Sequence, residues 1–268
     1  MWVTCALLTA LSVAPSQAGS LQLANVRPTT GYFGLARSSG KVLPGDLFFV
    51  AFDIDNLQAD DHGRVLYAMT IELSDAANKR IFSDGPQDRE AFLTLGGNRL
   101  PAVAHAEVGT QTPPGKYTIK VTVADKVRKG ATPQSFSQTF EVAQLGFGIV
   151  RPQLTYLSTM LPAPPRAVVG QSLALNCIVI GFERDKAKKN PSLTVDVVIW
   201  DANKKPTTQK PFTQTFKEVE QDRNYMDLHW PVDLNRPGQF TVELKVTDDL
   251  SKKTSSIQFP ITVTEEPK

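Results

Sequence analysis

Histidine and cysteine are scarce: the 268 residues hold three histidines and two cysteines. His62, His105 and His229 lie far apart in the chain. A zinc site needs three or four converging ligands, so two histidines in the first repeat and one in the second build none unless the repeats fold onto each other. Cys5 sits in an apolar N-terminal segment and leaves Cys177 alone, which excludes an intramolecular disulfide once that segment is removed. Missing too are a Gly-x-Ser-x-Gly elbow, a His-Glu-x-x-His helix motif and a glycine-rich phosphate loop after a strand. Charge of one sign is absent. The net charge is +2, with 13 basic and 13 acidic side chains in residues 19–144 and 16 and 14 in residues 145–268. Neither half has the basic excess that gathers counterions from a nucleic acid. The cluster Arg184, Lys186, Lys188 and Lys189 is interleaved with Glu183 and Asp185 and reads as a solvated loop. Beyond the N-terminus no stretch approaches the ~18 apolar residues of a membrane helix. These absences lead to the expectation of a protein that is not an enzyme and has no cofactor, no nucleic-acid partner and no transmembrane segment after signal cleavage.

What is present begins with Trp2 to Leu11, an uncharged and largely apolar run closed by Pro15 and by the small residues Ser16 and Ala18 around Gln17. That is the pattern of a secretory signal over residues 1–18. A lipid anchor would need small residues before its cysteine, and Cys5 comes too early. The expected location is secreted, periplasmic or cell-surface.

The remainder says nearly the same thing twice. Val26-Arg27-Pro28 with Tyr32 recurs as Val150-Arg151-Pro152 with Tyr156, an offset of 150 − 26 = 124. At this offset Leu21 and Leu23 answer Leu145 and Phe147, and His105 answers His229. Pro114-Gly115 and Pro237-Gly238 open matching runs that end at Asp125 and Asp248. Each copy alternates apolar and polar residues with the period of a half-buried strand. Phe48, Val50, Phe52 and Ile54 correspond to Leu173, Leu175, Cys177 and Val179. Tyr67, Met69, Ile71 and Leu73 correspond to Leu193, Val195, Val197 and Ile199. Turns rich in Asp and Asn follow at Asp75–Lys79 and Asp201–Lys205, where such side chains satisfy nearby backbone groups. No stretch has a helical period. The pattern predicts an all-β protein of two tandem β-sandwiches from an internal duplication, 19–143 and 144–268. A linker of about two residues, Ala143 and Gln144, predicts a semi-rigid joint with Phe147 packed near it.

The run from Ser172 to Phe182, with Cys177 in the alternation and Gly181-Phe182 after it, resembles strand B of an immunoglobulin-like domain. Pro237 to Val242 resembles its strand F, with Phe240 in place of the corner tyrosine and Val242 in place of the partner cysteine. In the first copy Tyr117 keeps the corner, while Phe52 and Ile119 fill the cysteine places. The chain is thus similar to the tandem immunoglobulin-like and fibronectin III-like modules of secreted bacterial proteins. Such modules bind, space or present, and fold alone does not decide which.

Three sets of residues invite a function. Asp53, Asp55, Asp60 and Asp61 surround the end of a strand and are the candidate for a calcium site, calcium taking six to eight oxygen ligands. Trp200 should face outward if Val195, Val197 and Ile199 face inward; with Tyr225 it is the candidate for stacking on a sugar or anchoring a partner. Exposed edge strands can recruit an extended chain by strand addition without special side chains. The leading expectation is an interaction or structural protein with a protein partner in the envelope or extracellular space. A carbohydrate-binding module or an accessory to an envelope enzyme is the alternative.

Overall fold

The computed structural model describes residues 19–32, 34–37 and 39–265; the expected signal peptide lies outside them. Among the described residues there is no helix, and so none long and apolar enough to cross a membrane. The chain forms sixteen strands. The first eight are β1 (Gln22–Thr29), β2 (Lys41–Val42), β3 (Leu47–Asp55), β4 (Arg64–Ser74), β5 (Arg80–Phe92), β6 (Arg99–Glu107), β7 (Gly115–Asp125) and β8 (Gln134–Val142). The second eight are β9 (Gly148–Tyr156), β10 (Arg166–Val168), β11 (Ser172–Ile180), β12 (Leu193–Asp201), β13 (Phe212–Phe216), β14 (Tyr225–Asp233), β15 (Gly238–Asp248) and β16 (Thr254–Thr264).

Each set builds a sandwich from a narrow and a wide sheet. The first sets β1-β3-β6 against β2-β8-β7-β4-β5, and the second sets β14-β11-β9 against β10-β16-β15-β12-β13. The protein is all-β, two tandem immunoglobulin-like sandwiches. The alternation seen in the sequence is what fills them. Phe48, Val50, Phe52 and Ile54 bury against Tyr67, Met69, Ile119, Val121 and Phe140. Leu173, Leu175, Cys177 and Val179 bury against Leu193, Val195, Val242, Leu244 and Ile261. Each large side chain of this kind adds ~1.5–3 kcal/mol when fully removed from water.

The turns carry the chemistry their residues suggest. Asp75 Oδ1 accepts the backbone N–H groups of Ala77 and Lys79, and Asp201 Oδ1 accepts those of Asn203 and Lys205. Tyr117 makes the corner bond, its hydroxyl donating to the Pro113 carbonyl at 2.9 Å. Phe240 has no hydroxyl, and the Arg236 guanidinium lies over its ring at 4.7 Å instead.

The repeat is not in the register that its most visible motif implies. Val50 pairs with Ala104 and Leu175 with Trp230, so β6 and β14 correspond at 230 − 104 = 126. Arg27 pairs with Ala51 and Gln153 with Asn176, giving 153 − 27 = 126 for β1 and β9. The two Val-Arg-Pro motifs therefore stand two places apart in the fold, as do His105 and His229. Leu21 and Leu23 answer Phe147 and Ile149 rather than Leu145 and Phe147. A bulge in each first strand marks the shift: Asn25 (φ 52°) occupies it in β1 and Arg151 (φ 51°) in β9.

That displacement gives Arg151 work that Arg27 does not do. Its backbone N–H donates to Asp46 Oδ1 at 2.8 Å, its Nε to the Gly45 carbonyl at 2.7 Å and its Nη2 to Glu107 Oε1 at 2.6 Å. Asp46 is buried and also holds Arg37 at 2.7 Å. The joint is thus a hydrogen-bonded contact between the start of β9 and the rim of the first sandwich, with Gly148 against the tip of Leu43, which would have to shift to admit a Cβ. Phe147 packs on the second core.

Asp248, at the end of β15, is fully buried. Burial pushes its carboxyl up. Hydrogen bonds from the Ser251 hydroxyl and from the Glu183 and Leu250 backbone N–H groups outweigh that and hold it below the usual carboxylate value. Asp248→Ala should therefore cost about 2–4 kcal/mol in urea unfolding, because it orphans several donors at once. The native carboxyl binds its proton less readily than the unfolded one. Its contribution is thus fully present above the unfolded value near 3.8 and is lost as pH falls through the lower folded value. Acid unfolding of the variant should lack that part of the slope.

Candidate functional site

The four aspartates do not converge. Asp55 is held by Arg99 through two bonds of 2.8 and 2.9 Å, and that guanidinium lowers its carboxyl. Asp53 accepts from Asn25 Nδ2 at 2.6 Å and lies 3.6 Å from Arg99. Asp60 caps its own loop, taking the backbone N–H of Arg64, which lowers it most, and that of His62, with Arg64 Nε at 3.0 Å. Asp61 joins none of these contacts. Among the described residues no three His, Cys, Asp or Glu side chains are grouped to hold a metal. The calcium candidate thus does not assemble as a group in this structure: Arg99 stands beside Asp53 and Asp55, and Arg64 beside Asp60.

Trp200 and Tyr225 do not share a face, because β12 lies in the wide sheet and β14 in the narrow one. Trp200 does point away from the core, but it is half-buried and its indole N–H donates to Glu243 Oε2 at 2.8 Å. Tyr225 is 40% exposed with Arg223 5.7 Å from its ring. Cys177 is buried, which pushes its thiol up to about 12 and keeps it protonated. His105 lies among Tyr32 and Phe49, while His229 Nδ1 meets Asn176 Oδ1 at 2.7 Å.

The feature that sequence reasoning missed is a cavity of about 520 Å³ between β5 and β6. Its floor is core: Leu73, Ala104, Ala106, Val108, Tyr117 and Phe140. Its rim is Ile81 and Phe82, 47% and 53% exposed. A bulge in β5 makes Ile81 the extra residue beside Phe82, so both line the opening. A second hollow of about 480 Å³ continues along the same side past Pro101 and Ala102, and Tyr32, Arg89 and Val103 border both. The result is a groove along β6.

The duplicate shows what normally fills it. At the corresponding place Ile199, Val232, Leu234, Phe240 and Ile261 surround only about 70 Å³. The inward positions Ala102, Ala104 and Ala106 of β6 correspond to Leu228, Trp230 and Val232 of β14. Phe216, Val219 and Trp230 cover the second core on that side, with Phe212 6.4 Å from Trp230. Arg184 ties down the covering loop by donating to the carbonyls of Val219, Glu220 and Arg223. The signal was legible as three small side chains where the copy has large ones.

The charges along the groove are unevenly matched. Asp84 accepts from Gln87, Glu107 from Arg151, and Asp53 from Asn25. Arg27 and Arg89 make no ion pair among the described residues. Arg89 stands beside the buried Tyr67, whose phenol is pushed up by burial against the opposing effect of that guanidinium. The arrangement offers apolar surface and spare positive charge.

No protein-family model and no curated protein matches this chain. Among solved structures it is similar to red sea bream transglutaminase, at 11% identity and a TM-score of 0.28 over 92% of this chain. The match covers 32% of that protein's length, and a likeness this distant carries no argument about activity.

With its carboxylates engaged by Arg99 and Arg64, the strand end should bind no calcium. Millimolar calcium should leave the melting temperature unchanged against a chelator control, whereas a rise would reinstate the metal site.

Proposed function

We propose that this is an exported, non-enzymatic interaction protein whose first sandwich binds a protein partner in the cell envelope or outside the cell. One observation carries the reading: the first sandwich keeps an open apolar groove where its own duplicate is packed shut. Ile81 and Phe82 stand about half exposed on its rim, and exposed apolar rims of this kind mark interaction surfaces. The volume lies within the ~300–1,000 Å³ range of ligand pockets. The second sandwich then serves to hold and space the first, through the Asp46–Arg151 contact. Carbohydrate binding ranks below this, because Trp200 and Tyr225 lie in different sheets and form no aromatic platform.

The test fills the groove as the duplicate does. Ala104→Trp should retain the circular dichroism and thermal stability of the parent. It should lose roughly tenfold or more of the protein captured from envelope fractions of the source cell, about 1.4 kcal/mol. Equal capture by the variant contradicts the reading. So does capture that survives protease treatment of the fraction and is competed by soluble glycans.

A further inference from the structure

The groove has two strand edges along it, and they are unlike. The β5 edge carries Pro86, a register irregularity near Gly85 and the charges of Asp84, Asp88, Arg89 and Glu90, all devices that discourage pairing. The β6 edge from Val103 to Glu107 has neither proline nor bulge. Val108 donates to the Asp46 carbonyl and accepts from Gly45, so it bonds toward β3. Antiparallel pairs alternate between bonded and unbonded. By that alternation Ala106 and Ala104 also bond toward β3, and the N–H and C=O groups of Val103, His105 and Glu107 point to the open side. Pro101 falls on the same outward set, a place where a missing N–H breaks no ladder bond.

We infer that the groove receives an extended segment of the partner, which adds beside β6 as a fourth strand of the narrow sheet. This rests on the reading that the first sandwich binds a protein. Three observations define the segment. The outward N–H and C=O groups call for a backbone in strand conformation. The hollow over Ala104 and Ala106, facing Leu73 and Phe82, calls for apolar side chains at every second position. Arg89, without an ion pair among the described residues, calls for a carboxylate at an inward position between those apolar ones. The second sandwich cannot take such a segment in the same way, because Trp230 and Val219 already occupy the space.

The experiment uses the full mature chain, isotopically labelled, with an acetylated nine-residue peptide of alternating valine and threonine and one central glutamate. A scrambled peptide of the same composition is the control. Amide hydrogen exchange at Val103, His105 and Glu107 should slow about tenfold or more with the alternating peptide and not with the scrambled one. Ala104→Trp should abolish the effect. Val103→Pro, which removes an outward N–H and no bond to β3, should weaken binding several-fold with the fold retained. Lysine in place of the peptide's glutamate should weaken it likewise.

Peptide binding that leaves those three amides unchanged overturns the inference. So does no peptide binding when Ala104→Trp still abolishes capture of the native partner; the partner then docks a folded surface, and the functional reading stands. If Ala104→Trp leaves capture intact, both fall. If the protein alone sediments as a dimer that Ala104→Trp dissociates, the occupant is a second copy, and the inference of a partner segment fails.

Discussion

Three strands cannot cover the inner face of five. Each sandwich here faces that constraint, because a narrow sheet is set against a wide one and the outer strand of the wide sheet overhangs. The overhang must be covered by side chains, by a loop or by something else. The second sandwich uses the first two: Trp230 from the narrow sheet, Phe216 from the overhanging strand and Val219 from a loop that Arg184 anchors. The first sandwich places alanine at three successive inward positions of β6, after Leu100, and extends the overhanging strand to thirteen residues. Its core reaches the groove without closing it. The open groove of the first sandwich is the difference between two solutions to one packing problem.

The duplication also shows how a repeated motif acquires separate roles. Val-Arg-Pro occurs in both first strands, yet the bulge of the second copy falls on its arginine. That turns the Arg151 backbone toward the buried Asp46 and makes it part of the joint. Arg27, two places away in register, donates only to the carbonyl of Asn25. A buried carboxylate already paired with Arg37 is a demanding partner, since truncating either side leaves desolvated charge without a match. The joint therefore depends on geometry that the first copy does not possess.

The fold was largely readable from the chain. The period-two alternation of β3 and β4 and their copies gave correct core faces, and the Asp-led turns and the Tyr117 corner formed as their chemistry suggests. The first strand was misaligned because Val-Arg-Pro sits two places apart relative to a bulge that both copies share, and strand pairing rather than the motif sets the register. The site was less readable. Four aspartates look like ligands until Arg99, 44 residues beyond Asp55, is seen to hold two of them. Trp200 looks free until Glu243 meets it from the neighbouring strand. These partners come from strand pairing, which local sequence does not display. The alanines of β6 were visible throughout, but small residues attract no attention until their large counterparts are set beside them.

The most direct measurement places a photo-crosslinking amino acid at Ile81, on the rim of the open groove, and separately at Phe212, beside Trp230 of the packed copy. Both proteins would be expressed in the source cell and irradiated. A discrete protein adduct from position 81 and none from position 212 is the expected result. Adducts from position 212, or none from position 81 while the protein still captures its partner, would contradict the account.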